Sequence, residues 1–142
     1  QTPKLLNYDI IDKQNSLPNT INVFGVYVMN LVVEWIKKQG GVLEMEIMAK
    51  RKAEILYNVL DNSSFYNRLA YPEHRSLMNI TFNIKNEKLL KKFLTDSEKE
   101  GFFGLRGHMD VGGLRASIYN AMSIEGVTEL SLFMKEFEKI NG

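Results

Sequence analysis

The chain has 142 residues, 44% hydrophobic and 25% charged, with 18 Lys and Arg against 17 Asp and Glu, which fits one globular domain burying about two thirds of its unfolded surface. A net charge of +1 supplies no broad basic field, so nucleic acid and anionic membranes are excluded as default partners. The absence of cysteine excludes a disulfide framework, a thiolate zinc site and a cysteine nucleophile within these residues.

The chain opens on Gln1 and reads from there like the middle of something, so it is expected to be part of a longer unit. Leu5 to Ile10 suggests a short extended piece, followed by a loop through Pro18 to Thr20. Thr20 or Asn22 can cap the next helix, Val23 to Lys38. That helix carries Val23, Phe24, Val26, Tyr27, Val28, Leu31, Val32, Val33, Trp35 and Ile36 and has almost no polar face, so it is expected to be a long buried helix with a covering partner. The apolar stretch from Ile21 to Ile36 contains Asn22, Asn30 and Glu34 and is short of a membrane span. No charged segment with an apolar core opens the chain, so no secretory signal is visible.

Gln39-Gly40-Gly41 ends this helix, and a second runs from Val42 to Leu60 with Met45, Ala49, Ala53, Leu56 and Leu60 as its core stripe. A short strand is expected near Phe65 to Leu69. Leu77 to Ile84 alternates cleanly, with Met78, Ile80, Phe82 and Ile84 on one side and Asn79, Thr81 and Asn83 on the other, the pattern of a half-buried strand. Asn86 caps a helix from Glu87 to Glu100. Short strands follow at Phe102 to Leu105 and Leu114 to Tyr119, and Ser123 caps a last helix from Ile124 to Ile140. The order after the first two helices is strand, strand, helix, strand, strand, helix. It predicts an α+β fold, a small, mostly antiparallel sheet with helices packed on one face.

Chemistry concentrates in Gly104 to Met122. His108 lies in a glycine-flanked loop, Gly112-Gly113 lets backbone approach closely or take positive φ, and Arg115 opens a strand. An arginine fork after such a turn suits a carboxylate. A tight turn, a surface histidine and an arginine in a structural ion pair explain the same residues, and composition alone favours that plainer account. Pro18-Asn19-Thr20, before a helix N-terminus, suits an anion, although simple capping is commoner. His74-Arg75-Ser76, at the entrance to the alternating strand, is a third candidate, with His74 read as part of a solvated turn. Two histidines in separate segments make no metal site, and no Ser–His–Asp arrangement is supported.

At these same residues the chain resembles the phosphoserine aminotransferase family, vitamin B6-dependent transaminases of fold type I. Gly107-His108 and Val111 to Met122 are similar to its GHRxVGGMRASIYNAMP signature. Asn19-Thr20 is similar to the start of its NTPPTF segment, Arg75 to Asn79 to its RSxMN strand entrance, and Phe133 to Phe137 to its C-terminal helix. The resemblance runs from about Pro3 to the end and covers only the C-terminal part of such an enzyme. It implies residues 1–39 as the tail of the large cofactor domain with a connecting helix, and 40–142 as the C-terminal small domain.

The resemblance further implies a cytoplasmic homodimer that uses pyridoxal phosphate to exchange an amino group between phosphoserine and 2-oxoglutarate, giving 3-phosphohydroxypyruvate and glutamate. Arg115 matches the arginine that clamps the substrate carboxylate and His108 a residue near the substrate phosphate. Asn19 and Thr20 match residues that reach the cofactor phosphate of the neighbouring subunit. The Schiff-base lysine lies upstream of the matched segment, so these residues alone are expected to be inactive and to carry no catalytic residue. Two positions depart from the pattern. Met109, followed by Asp110, stands where the family has a phosphate-holding arginine, and Ile21-Asn22 replaces a Pro-Pro pair. Losing a charge-assisted hydrogen bond costs about 1.5–3 kcal/mol, which puts the phosphorylated substrate in question and leaves a transaminase for a non-phosphorylated keto acid as an alternative. From a different class, a free-standing α+β binding or oligomerisation module accounts for the same elements without chemistry.

Overall fold

The computed structural model describes residues 2–142. They form two compact units, one ending at Val42 and one spanning Leu43–Gly142.

In the first unit a 3-10 turn, Lys4–Leu6, leads into the short helix α1 (Tyr8–Lys13). The extended piece expected here is instead helical, because the Asn7 side chain accepts the Asp9 backbone N–H at 3.1 Å and Lys13 reaches back to Asp9 at 2.8 Å. Helix α2 (Val23–Lys38) lies where the apolar run places it. Its N-cap is Asn22, whose side chain accepts the Gly25 N–H at 2.9 Å. The expectation of burial is not met within this chain: no residue of α2 is buried, and Phe24, Tyr27, Leu31 and Trp35 are all exposed. The physical reason is that a helix apolar all round needs covering on several sides, and these residues do not supply that cover. Among the described residues no helix is long and apolar enough to cross a membrane.

Gly40 at φ 103° ends α2, and helix α3 (Gly41–Asp61) follows. The second unit contains a sheet of β1 (Tyr66–Arg68), β2 (Asn79–Ile84) and β3 (Leu114–Ser117), in the order β1-β2-β3 with both pairings antiparallel. Helix α4 (Leu90–Lys99) is entered through a 3-10 turn at Glu87–Leu89 that Asn86 caps, and α5 (Ile124–Asn141) is capped by Ser123 accepting the Gly126 N–H at 3.1 Å. The strand expected at 102–105 does not form. Gly101 and Gly104 take φ 88° and 76°, which bends the segment out of register, and pairing is limited to Arg106 opposite Leu114.

The sheet is covered on one face. Ile80, Phe82 and Ile84 alternate inward along β2, joined by Leu114 and Ala116 from β3, and they pack with Ala53, Leu56 and Leu60 of α3, Phe93 of α4, and Val127, Leu130, Met134 and Phe137 of α5. Phe93 is the hub: its ring meets Phe137 at 5.0 Å, Phe133 at 5.2 Å, and Tyr66 and Phe82 at 6.2 Å, mostly edge to face. The one phenol among these rings, Tyr66, donates to the Met134 carbonyl at 2.8 Å, so its burial leaves no orphaned donor.

Polar ties fix the rim. Asp61, the last residue of α3, accepts from Nη1 and Nη2 of Arg75 and from Arg68 at 2.9 Å. Arg75 also lies over the Tyr57 ring at 4.4 Å, and the Tyr57 hydroxyl donates to the Ser76 carbonyl at 2.9 Å. Before β3, residues 106–113 form a closed loop. Gly107 N–H bonds the Gly113 carbonyl at 2.9 Å and Arg115 N–H bonds the Leu105 carbonyl at 2.8 Å, while Gly112 and Gly113 take φ 73° and 67°. A Cβ on Gly107 would run into the Gly112 carbonyl.

Two outcomes follow from these ties. The arginines hold the Asp61 carboxyl down from its ordinary 3.8 to about 2, so its stabilising contribution is complete above about pH 4 and is lost as pH falls toward 2. Thermal unfolding at several pH values should show the original chain above Asp61→Asn near neutrality, with the gap closing over that acidic window. Gly107→Ala should lower stability by about 1–3 kcal/mol through overpacking of the loop base, read as a reduced melting temperature.

Candidate functional site

The face of the sheet away from the helices is polar. Asn79, Thr81 and Asn83 of β2 and Arg115 and Ser117 of β3 are all half-buried and project there, because strict alternation sends their neighbours into the core. Thr81 stands directly opposite Arg115, and Asn79 opposite Ser117. Ser117 Oγ and the Tyr119 hydroxyl both donate to Asn79 Oδ1, at 3.2 Å and 3.1 Å.

Arg115 is the one charge among these residues, and no acid answers it. Its Nε is buried without a hydrogen-bond partner, as is that of Arg75, but unlike Arg75 its guanidinium makes no ion pair or hydrogen bond with any described residue. A half-buried guanidinium framed by hydroxyls and amides thus has no protein counter-charge. Its fork presents parallel N–H donors, the arrangement that a carboxylate completes. The structural ion pair that composition favoured for Arg115 is therefore absent. An ion pair is found instead at Arg75, with Asp61.

His108 lies at the exposed tip of the 106–113 loop. Its Nδ1 lies 3.3 Å from the Asp110 backbone N–H and 3.4 Å from the Asp110 carboxylate. The loop and α4 enclose a groove of about 590 Å³ lined by Lys91, Glu98, Arg106, His108 and Met109, among others, and Arg115 does not line it. The structure therefore does not bring His108 and Arg115 into one cavity. Arg106, paired opposite Leu114, lines the same groove as Met109. Met109 is 96% exposed.

Asn19 and Thr20 belong to the first unit. Both are exposed in the segment leading to α2, and neither side chain hydrogen-bonds to another described residue. They are not the cap of α2, which Asn22 provides.

Sequence reasoning missed Lys52, Tyr57, Asn79 and Tyr119, the side chains that hold the end of the sheet next to Arg115. For Lys52 a signal existed, since it sits three residues after Ala49 and four before Leu56, on the same helical stripe. Its charge hid its position.

The model of the aminotransferase class-V family matches residues 1–130. Phosphoserine aminotransferase of Herpetosiphon aurantiacus is 50% identical over 141 residues, covering 99% of this chain and 39% of the relative. The solved phosphoserine aminotransferase of Bacillus circulans subsp. alkalophilus superposes with a TM-score of 0.92 at 44% identity, over 99% of this chain and 39% of that one. The pyridoxal phosphate-bound phosphoserine aminotransferase of Trichomonas vaginalis gives a TM-score of 0.85 at 34% identity, over 94% of this chain and 39% of that one. The chain thus spans about two fifths of the length of the proteins it is similar to. The α+β fold, the one-sided antiparallel sheet and the family match agree, and this chain belongs to the class-V aminotransferases.

Proposed function

We propose that these residues are the C-terminal portion of a pyridoxal phosphate-dependent phosphoserine aminotransferase, a cytoplasmic homodimer, in which Arg115 clamps the α-carboxylate shared by both amino-acid substrates. The observation that carries this reading is the unanswered guanidinium of Arg115 on an uncharged polar sheet face. Residues up to about 39 would then be the tail of the large domain with its connecting helix, and 40–142 the small domain. The exposed apolar side chains of α2 supply surface for the remainder of the enzyme and for a second subunit to cover. Catalysis needs the lysine of the large domain that bonds the cofactor, so these residues alone do not turn over substrate.

Bound pyridoxal phosphate acts as the electron sink that lets an amino group leave one amino acid and enter a keto acid. The residues of this chain bind and orient. The amide of Asn19 and the hydroxyl of Thr20, unbonded elsewhere, have the donor chemistry that phosphate oxygens require. Arg115 fixes the substrate carboxylate through two parallel hydrogen bonds and so sets the angle of the reacting carbon to the cofactor. His108, at the exposed loop tip, offers its imidazole to the substrate phosphate.

The Met109-Asp110 pair favours one second reading, a transaminase acting on a non-phosphorylated keto acid. Met109 brings no charge, and the exposed Asp110 carboxylate disfavours a phosphate dianion.

In the complete enzyme, Arg115→Ala should raise KM for phosphoserine and for glutamate together, by on the order of 10- to 100-fold for a lost charge-assisted pair. Steady-state kinetics with each substrate check this, and unchanged values for both would remove Arg115 from the clamp. Met109→Arg, at an exposed position where no burial is lost, should improve use of phosphoserine and leave glutamate unaffected. Absence of that gain would favour the non-phosphorylated substrate.

A further inference from the structure

Lys52 is 1% exposed in the middle of α3 and has no acidic partner. Its ammonium donates instead to two backbone carbonyls, Tyr119 at 2.7 Å and Met122 at 3.0 Å. These are the ends of the turn that joins β3 to α5, which Met122 N–H closes onto the Tyr119 carbonyl at 2.9 Å. Burial lowers the pKa of this amine from its ordinary value. A lysine kept in the core against that desolvation holds something that an apolar residue could not.

What it holds is the sheet end beneath Arg115. Because β2 and β3 are antiparallel, the start of β2 and the end of β3 lie side by side, with Asn79 opposite Ser117. Helix α3 grips both. Tyr57 donates to the Ser76 carbonyl just before β2, and Ser76 Oγ in turn accepts the Asn79 N–H at 3.0 Å. Lys52 grips the other strand through the Tyr119 carbonyl. The side chain of the same Tyr119 closes the circuit on the outer face, donating to Asn79 Oδ1 beside Ser117. Arg115 is two residues before Ser117 on that face, a single repeat of the strand.

We propose that Lys52 is a positioning residue for the Arg115 carboxylate clamp, acting through the Tyr119 turn and the Asn79 hydrogen bonds to fix where the guanidinium stands. This rests on the reading of Arg115 given above. A displacement of about 1 Å in such a group can cost as much as 100-fold, so a lysine in the helix layer can control substrate binding without touching substrate.

The test is a double-mutant cycle in the complete enzyme. Lys52→Met keeps the volume and removes the two carbonyl bonds. It should raise KM for phosphoserine and glutamate in parallel, by about 10-fold, with a much smaller change in kcat. On an Arg115→Ala background the same substitution should add nothing, because residues acting as one unit are not additive. An equal factor on both backgrounds, or no effect on KM with Arg115 present, overturns the proposal. If Lys52→Met does not fold, Tyr119→Phe replaces it. That change removes only an exposed hydroxyl's bond to Asn79, and it should raise KM only while Arg115 is present. Unchanged KM, or an equal rise on both backgrounds, overturns the proposal. If Arg115→Ala itself leaves both KM values unchanged, the clamp reading fails. If it raises them while Lys52→Met acts independently, only the role of Lys52 fails.

Discussion

Strand β2 sits between its two neighbours, and every second side chain along it is sealed in the core. A shift of one residue in either pairing would exchange Ile80, Phe82 and Ile84 for Asn79, Thr81 and Asn83 and put amides against Phe93. The aromatic cluster therefore sets the register of the sheet, and the register decides which residues face outward. Arg115 owes its place on the polar face to Leu114 and Ala116 on either side of it, both committed to the core. The candidate chemistry of one face is a consequence of packing on the other.

Helix α3 adds a second level of control. Its apolar residues supply core, and three polar ones, Lys52, Tyr57 and Asp61, leave the same helix to bind the segments around the sheet. Each answers a group that would otherwise be unsatisfied: two carbonyls of a turn, the carbonyl of Ser76, and the guanidiniums of Arg68 and Arg75. Arg75 is thereby neutralised and stacked, whereas Arg115 makes no ion pair with any described residue. That contrast separates an arginine that builds the domain from one disposed to receive an anion.

Most of the second unit was legible in the sequence because its signals are local. The alternation of Leu77 to Ile84, the stripe through Ala49, Ala53, Leu56 and Leu60, and the caps at Asn86 and Ser123 each state their own geometry. The failures have particular causes. Leu5 to Ile10 looked extended, but the Asn7 cap and the Asp9–Lys13 pair turned it into helix. Phe102 to Leu105 has strand residues, yet two glycines in positive φ break its register. The α2 helix was placed correctly, while its burial depends on surfaces that these residues do not contain. At the candidate site, Arg115 and His108 stand out in a glycine-flanked segment of the sequence, and the family resemblance suggests their roles. That Arg115 lacks an acid while Arg75 has one depends on Asp61, far away in sequence, and no local pattern carries such a fact.

The loop closed by Gly107 and Gly113 divides the labour between scaffold and variable tip. Its base is tight, since the two backbones cross where only a hydrogen atom fits at Gly107, and the Leu105–Arg115 bond below it starts β3. His108, Met109, Asp110 and Val111 lie beyond that base, all exposed and free of core contacts. These four side chains can therefore be exchanged without disturbing the sheet, so the loop tip is free to vary in chemistry while its base stays fixed.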